Sequence, residues 1–515
     1  MTDNFPHSSA ASPPSDEPLD NLSVWLEHRA QLGGWLERTA YLQGTHRYTY
    51  GEVYDRVRRT AGALRGLGIQ REDRVLLALP DSVALVVTFL AVLRIGAVAV
   101  PVNTLFHPDE LRSSEDIAEA SLVVSDESLR EEFRGRTVTP MDLAQPGDPA
   151  QEHSSPETVT ADDPAFAVFT SGTTGAPRLC FHAHGDALYF DRSIGNVLSL
   201  RQGEVCYSVS RMYFVYGLGN SVLLPLQRGA SVVLTPQRAD ETCALSVLRR
   251  HAVSVFYAQP SFYARLLAHP DGEQLRYLRL AVVAGETLPR PIEDRLRRLL
   301  GAGLLNVCGT SETGHAVLAN APDEIVPYSL GRILSPYRVR VIDDAGQPLP
   351  AGEVGQLQIS GPTIGPGVAR GSLPPQRLSA DEWFTTGDAA RMDTDDLVWL
   401  LGRVDDIEIV AGANVHPTEV EDLITGITGV REAAVCAVRR VGGETSLRAY
   451  VVADPGADRH GSLAKTIRQV TKTSLTWYKV PDDVEFVDAL PRNGTGKILR
   501  RVLRGWNTEA PNDSE

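Results

Sequence analysis

The sequence predicts an α/β protein: a large N-terminal body of layered α/β subdomains with a β-rich module, followed by a small α+β domain at the C-terminal end. Two patterns predict it. Apolar, β-branched runs alternate with amphipathic stretches through the first two thirds of the chain, which is the signature of βαβ units. Near residue 335 this gives way to alternating polarity around a turn, and the last hundred or so residues carry helix and strand signals of their own.

Taken in order, residues 75–79 read as a strand, 82–93 as a helix and 96–100 as a strand. The whole apolar run 83–102 contains Arg94 and Gly96 and reaches Pro101, so it reads as a buried helix followed by a buried strand and not as a membrane span. Residues 165–169 form another short apolar strand, and further strands are expected at 231–234, 253–257 and 280–283, with a helix ending near Leu248. Residues 338–342 and 356–359 flank a turn at 344–346, a hairpin-like arrangement. Helix and strand signals at 417–423, 433–438, 447–452, 463–475 and 484–487 suffice for a small closing domain.

With 515 residues, 43% of them hydrophobic, the chain can bury a large core and divides into at least two domains. Its formal net charge of −15 argues against a nucleic-acid or anionic-membrane binder, because such a surface repels phosphates. Five scattered cysteines in no ligand or disulfide spacing fit a reducing, cytoplasmic setting. Residues 1–20 are rich in Ser, Pro and acids, as in a disordered tail, with no signal-peptide pattern.

Residues 169–178 read FTSGTTGAPR directly after an apolar strand. Gly172 and Gly175 allow backbone N–H groups to converge on an anion, and the hydroxyls of Thr170, Ser171, Thr173 and Thr174 can bind phosphate oxygen or a phosphate-bound Mg²⁺. Locally, the same run also reads as a Ser/Gly linker.

Five further segments follow in a fixed order: AGE at 284–286, GTSE at 309–312, WFTTGD at 383–388, GRVDD at 402–406 and NGTGK at 493–497. With TSGTTG at 170–175, this order resembles the AMP-forming acyl/aryl-CoA ligase and adenylation-domain superfamily over nearly the whole chain. The resemblance implies that residues 170–175, with Arg178, hold the β- and γ-phosphates of ATP. Glu312 and Thr173 would serve Mg²⁺, whose preference is for hard oxygen ligands. Gly285, Glu286, Gly309, Thr310 and Ser311 would line the rest of the nucleotide site. Asp388 would accept hydrogen bonds from both ribose hydroxyls and Arg403 would contact ribose or phosphate. On local sequence Asp388 equally suits a turn, and Arg403 a surface ion pair with Asp405 or Asp406. Lys497 would bridge the substrate carboxylate and the α-phosphate, offsetting the repulsion of two anions as they meet.

Residues 210–220 and the segment from Glu312 to His315 are especially similar to benzoate-type CoA ligases. That similarity implies a flat acid pocket formed by Phe214, Val215, Tyr216, Gly219, Gly285 and His315, with aromatic walls suited to a planar ring. Core packing is the competing reading of the same aromatics. The family's second step implies a mobile C-terminal domain over 405–515, hinged at Asp405 after an N-terminal domain at 21–404, and segment 410–417 facing an acceptor tunnel. CoA is the expected acceptor, with a carrier-protein thiol, or a small nucleophile such as nitrite in amine diazotisation, as the alternative. A monomer or homodimer is expected.

Some positions depart from the family pattern. Arg178 stands where lysine is usual, followed by Leu179 and Cys180. Residues 365–371 replace a Gly-Tyr segment, Glu408 and Ile409 follow the hinge where relatives carry lysine, and the region around Val441 lacks an aromatic residue near the CoA adenine. Apart from Arg178, these changes fall around the second step.

Overall fold

A run of aliphatic residues becomes a central parallel strand when both of its faces can be covered, and in this chain that condition is met in two separate sheets. The computed structural model describes residues 21–144, 155–171, 177–320, 324–365, 378–379, 381–406, 408–410, 413–439, 445–458, 462–492 and 498–506. The expected tail at 1–20 lies outside these residues, as do Gly172, Thr173, Thr174, Gly175 and Lys497.

The first sheet has six strands, in the order Thr137–Val138, Leu122–Ser125, Arg74–Ala78, Val98–Pro101, Pro164–Ser171 and Pro177–Ala183. All its pairs are parallel except the last, which is an antiparallel hairpin bringing Thr170 opposite Arg178. The second sheet has nine strands. Its parallel centre runs Leu304–Gly309, Leu280–Val283, Val255–Ala258, Val205–Ser208, Ser231–Leu234 and Thr39–Gln43, and antiparallel strands close both edges.

Helix Val83–Arg94 joins the first sheet to the main core. Ser82 caps it by accepting from the Leu85 N–H at 3.3 Å. Every residue of this helix except Ala84 is buried, which fits its unbroken apolar sequence. Buried Arg94 donates to Glu27 at 2.8 Å, and Glu27 also pairs with Arg58, so the charge that argued against a membrane span is neutralised inside the fold. Among the described residues no helix is long and apolar enough to cross a membrane.

The β-rich module is a four-stranded antiparallel sheet of Arg338–Ile342, Val354–Ser360, Phe384–Met392 and Val398–Arg403, and its first two strands form the expected hairpin. A smaller C-terminal domain follows. Its strands Val430–Arg439, Thr445–Ala453 and Asp483–Phe486 form one sheet, and helices Pro417–Thr425 and Ser462–Ser474 pack around a core containing Val420, Ile424, Val435, Leu447 and Ile467.

This small domain leans on the large one through polar contacts. The Thr418 hydroxyl donates to the Leu401 carbonyl at 2.7 Å, and Arg290 lies 3.9 Å from Asp422. Arg492 reaches across to Glu286 at 3.3 Å while holding Glu432 of its own domain at 2.7 Å. Asp405 falls in the single turn Val404–Asp406, directly after the last strand of the four-stranded sheet.

Candidate active site

The hairpin Pro164–Ser171/Pro177–Ala183 carries the glycine- and hydroxyl-rich segment at its tip. On its return strand, buried His182 points to the turn that follows strand Leu304–Gly309. One ring nitrogen lies 2.9 Å from the Ser311 carbonyl oxygen and the other 3.2 Å from the Asp186 carboxylate, which also accepts from the Ala183 N–H. A side chain 129 residues away thus fixes the GTSE turn beside the hairpin. Inside that turn, the N–H groups of Thr310 and Thr313 each donate to the other's hydroxyl, at 2.9 and 3.3 Å. The Thr363 hydroxyl donates to the Thr313 carbonyl at 2.8 Å.

Glu312 is half-buried, and its carboxylate has no hydrogen bond or ion pair among the described residues. It faces the same region as Arg178: burial pushes the Cys180 thiol up, the nearby Glu312 pushes it further, and Arg178 opposes them. The turn therefore presents a carboxylate, unpaired among the described residues, on the side of strand Pro177–Ala183. That fits a Mg²⁺ ion bound through one carboxylate and substrate phosphates, although no cluster of three ligating side chains exists among the described residues.

Asp388 and Arg403 are cross-strand partners. Arg403 donates to an Asp388 oxygen at 3.0 Å and to the Thr386 carbonyl at 2.7 Å, so the neighbouring strand holds it. Gly387 between them has φ +74°, and a Cβ there would lie 2.6 Å from the guanidinium, so only glycine permits this close packing. The second Asp388 oxygen makes no hydrogen bond among the described residues. Glu286 accepts from the Ser261 N–H at 3.2 Å and the Ser261 hydroxyl at 3.1 Å, and it pairs with Arg492, so its carboxylate ties the two domains together.

The candidate acid pocket is built on an irregular helix. Val215–Leu218 is α-helical and Gly219–Leu223 continues as a π-helix, a wide turn frequent at functional sites. Phe214 is half-buried, stacked edge-on against Tyr213 with ring centres 4.5 Å apart, and Val215 is buried in the core. The Tyr216 ring meets Tyr257 edge-on at 6.2 Å and His315 at 6.0 Å, and its hydroxyl donates to the Val282 carbonyl at 3.2 Å. His315 in turn lies 6.1 Å from Phe190. A Cβ at Gly219 would come within 2.1 Å of the His315 ring, so this glycine allows helix and imidazole to touch.

His315 is fully defined by its neighbours. Its Nδ1 accepts from the Ala316 N–H at 2.7 Å, which leaves the proton on Nε2, and Nε2 is buried without a partner among the described residues. Burial pulls its pKa down to about 4, so the ring is neutral at pH 7.

Sequence reasoning did not single out His182, Arg492 or Tyr257, whose roles depend on pairings far along the chain. Asn220 lay inside the 210–220 segment but was not selected. Its signal is an amide in an otherwise apolar stretch, and it is fully buried with both amide atoms unpartnered among the described residues. Among the departures from pattern, Glu408 is buried and held by Arg504 at 2.6 Å, which accounts for an acid at that position.

The AMP-binding enzyme family matches residues 27–371, and the AMP-binding enzyme C-terminal domain matches 419–497. The chain is 34% identical over 496 residues to the p-hydroxybenzoic acid–AMP ligase FadD22 of Mycobacterium marinum, covering 96% of this chain and 70% of that protein. It is 32% identical to the benzoate–CoA ligase of Thauera aromatica, covering 94% and 95% of the two chains. Among solved structures, the anthranilate CoA ligase AuaEII in complex with anthranoyl-AMP superposes with a TM-score of 0.87 at 29% identity, over 96% of this chain and 98% of that one. With its fold, its motif order and these matches in agreement, the chain belongs to the AMP-binding enzyme family.

Proposed function

We propose that this enzyme activates an aromatic carboxylic acid with ATP and passes the acyl group to the thiol of CoA. The observation that carries the reading is the cluster of Tyr216, Tyr257, Phe190 and His315, packed ring against ring close to the GTSE turn. Relatives named for benzoate, p-hydroxybenzoate and anthranilate support the same class of acid.

In the first step a carboxylate oxygen of the acid attacks the α-phosphorus of ATP, the bond to the β-phosphate oxygen breaks, and pyrophosphate leaves. Lys497 would neutralise charge between carboxylate and phosphate, residues 170–175 with Arg178 would hold the leaving phosphates, and Asp388 with Arg403 would fix the ribose. Mg²⁺, taken by Glu312 and Thr173, would spread the phosphate charge. The thiol sulfur then attacks the acyl carbon, AMP leaves with the bonding electrons, and the thiol proton passes to solvent. A domain boundary at 404/405, with Asp405 as hinge, would let the C-terminal domain serve both steps. We place the enzyme in the cytoplasm, as a monomer or homodimer, in accord with five cysteines that form no disulfide.

A second acceptor class, a carrier-protein thiol, is favoured by the relative named as an AMP ligase, which is longer than this chain. Measuring AMP and pyrophosphate release over benzoic, hydroxybenzoic, aminobenzoic and short fatty acids, with CoA, a holo carrier protein or nitrite, tests both readings. Release with aryl acids and a thioester product on CoA is expected. Activity confined to fatty acids would contradict the proposal.

Gly219→Ala is expected to raise the KM for the aryl acid about tenfold or more, because the new methyl must displace an imidazole wedged between Phe190 and Tyr216. An unchanged KM would show that His315 is not part of the acid site. The lowered pKa of His315 carries a second expectation. As pH falls below about 6.5 the unfolded chain takes up this proton first, so stability drops through that window down to about 4, where the folded ring protonates. Thermal melts of wild type and His315→Gln should converge in pH dependence above about pH 7 and diverge below it.

A further inference from the structure

We infer that a cavity at the outer edge of the nine-stranded sheet is an anion site that takes a small oligophosphate, separate from the candidate active site. The cavity, of about 720 Å³, lies within the size range of small-molecule sites. Arg38, Arg47 and Arg250 line it together with His46 and His251, and Glu37 is the one acid among its described lining residues. With the histidines neutral, its wall sets three positive charges against one negative, on a chain whose net charge is −15.

Three adjacent parallel strands begin at this cavity, with Thr39, Ser231 and Val205. The hairpin turn at 44–45 and the last residue of helix Glu241–Arg250 complete the lining. The GTSE turn follows the carboxyl end of another strand of the same parallel run, and no residue of the candidate active site lines the cavity.

None of the three guanidinium groups pairs with a carboxylate among the described residues. Neutral groups hold two of them. Arg47 donates to the Thr39 hydroxyl at 2.9 Å, and the Gln202 amide, with its oxygen turned to Arg38, accepts from Nε at 2.8 Å. Glu204, next to Gly203 in the lining, is engaged elsewhere, accepting from Arg279 at 2.7 Å. Other arginines of this acidic chain do find acids: Arg58 pairs with Glu27 and Asp55, and Arg74 with Glu119. A single exposed arginine needs no ligand, but three around one cavity repel one another. Guanidinium forks match phosphate oxygens in pairs, and a chain of two or three phosphates reaches several forks at once while its charge relieves that repulsion.

The test is calorimetric titration of the full chain with inorganic triphosphate and with AMP, without divalent cation and at low ionic strength, because salt screens exposed charges. It compares wild type, Arg47→Gln/Arg250→Gln, Glu37→Gln and Arg59→Gln/Arg298→Gln. The last pair is exposed and outside the cavity, so it removes the same charge elsewhere. One equivalent of triphosphate should bind about tenfold or more weakly in Arg47→Gln/Arg250→Gln, more tightly in Glu37→Gln, and as in wild type in Arg59→Gln/Arg298→Gln. Triphosphate held by residues 170–175 is common to all four proteins and cancels in the comparison. Binding unaltered in Arg47→Gln/Arg250→Gln overturns the inference, and so does an equal loss in Arg59→Gln/Arg298→Gln. AMP lost from the same variant while triphosphate is not overturns the oligophosphate class. If thermal melting shows that Arg47→Gln/Arg250→Gln does not fold, Glu37→Gln decides, and an unchanged affinity there overturns the inference. Calorimetry needs no turnover, so its result stands apart from the aromatic-acid reading.

Discussion

Replacing Lys497 with alanine is expected to slow acyl-AMP formation by on the order of 10²- to 10³-fold, while thioester formation from supplied aryl-AMP changes by less than about tenfold. The first step brings a carboxylate against a triphosphate, and a cation aimed at both stabilises the charge where it builds. The second step has no such encounter. Lys497 lies outside the described residues, and the residues on either side of its segment pair with each other. Arg492 and Ile498 form an antiparallel bridge, the Leu499 N–H donates to the Pro491 carbonyl at 2.8 Å, and Arg492 reaches Glu286 of the large domain. Acid-dependent pyrophosphate exchange measures the first step and thioester yield from synthetic aryl-AMP the second. Equal losses in both would contradict a lysine that serves adenylation alone.

Asp388→Ala is expected to lower kcat/KM for ATP about 10²-fold, the scale of losing charge-assisted hydrogen bonds to the ribose. Part of that loss could come from Arg403, which would lose its carboxylate partner at 3.0 Å. Comparing ATP with 2′-deoxy-ATP separates the two causes. Wild type should discriminate against the deoxynucleotide, and Asp388→Ala should not. If the variant keeps the full preference for ATP, Asp388 acts only by holding Arg403.

Much of the fold was legible because it is written in local patterns. Strands Ser231–Leu234 and Leu280–Val283 fall on the ranges their aliphatic residues mark, and helix Val83–Arg94 lies within a residue of the expected 82–93. The sheet order was not legible. Thr39–Gln43 pairs with Ser231–Leu234 across nearly 200 residues, a pairing that no window of sequence contains. The same divide runs through the candidate site. Glycines and acids in compact motifs stood out, whereas His182, which braces Ser311 from the opposite sheet, carries no local mark. The π-helix at Gly219–Leu223 was hidden as well, because no residue propensity marks such a wide turn, which here begins where Gly219 meets His315.

The central claim is that a carboxylate on an aromatic ring attacks the α-phosphate of ATP, and the exchange of labelled pyrophosphate into ATP with no acceptor present tests it most directly. We expect exchange that requires an aryl acid and divalent cation and disappears in Lys497→Ala. No exchange with any acid of the panel, or release of ADP and phosphate in place of AMP and pyrophosphate, would contradict the account.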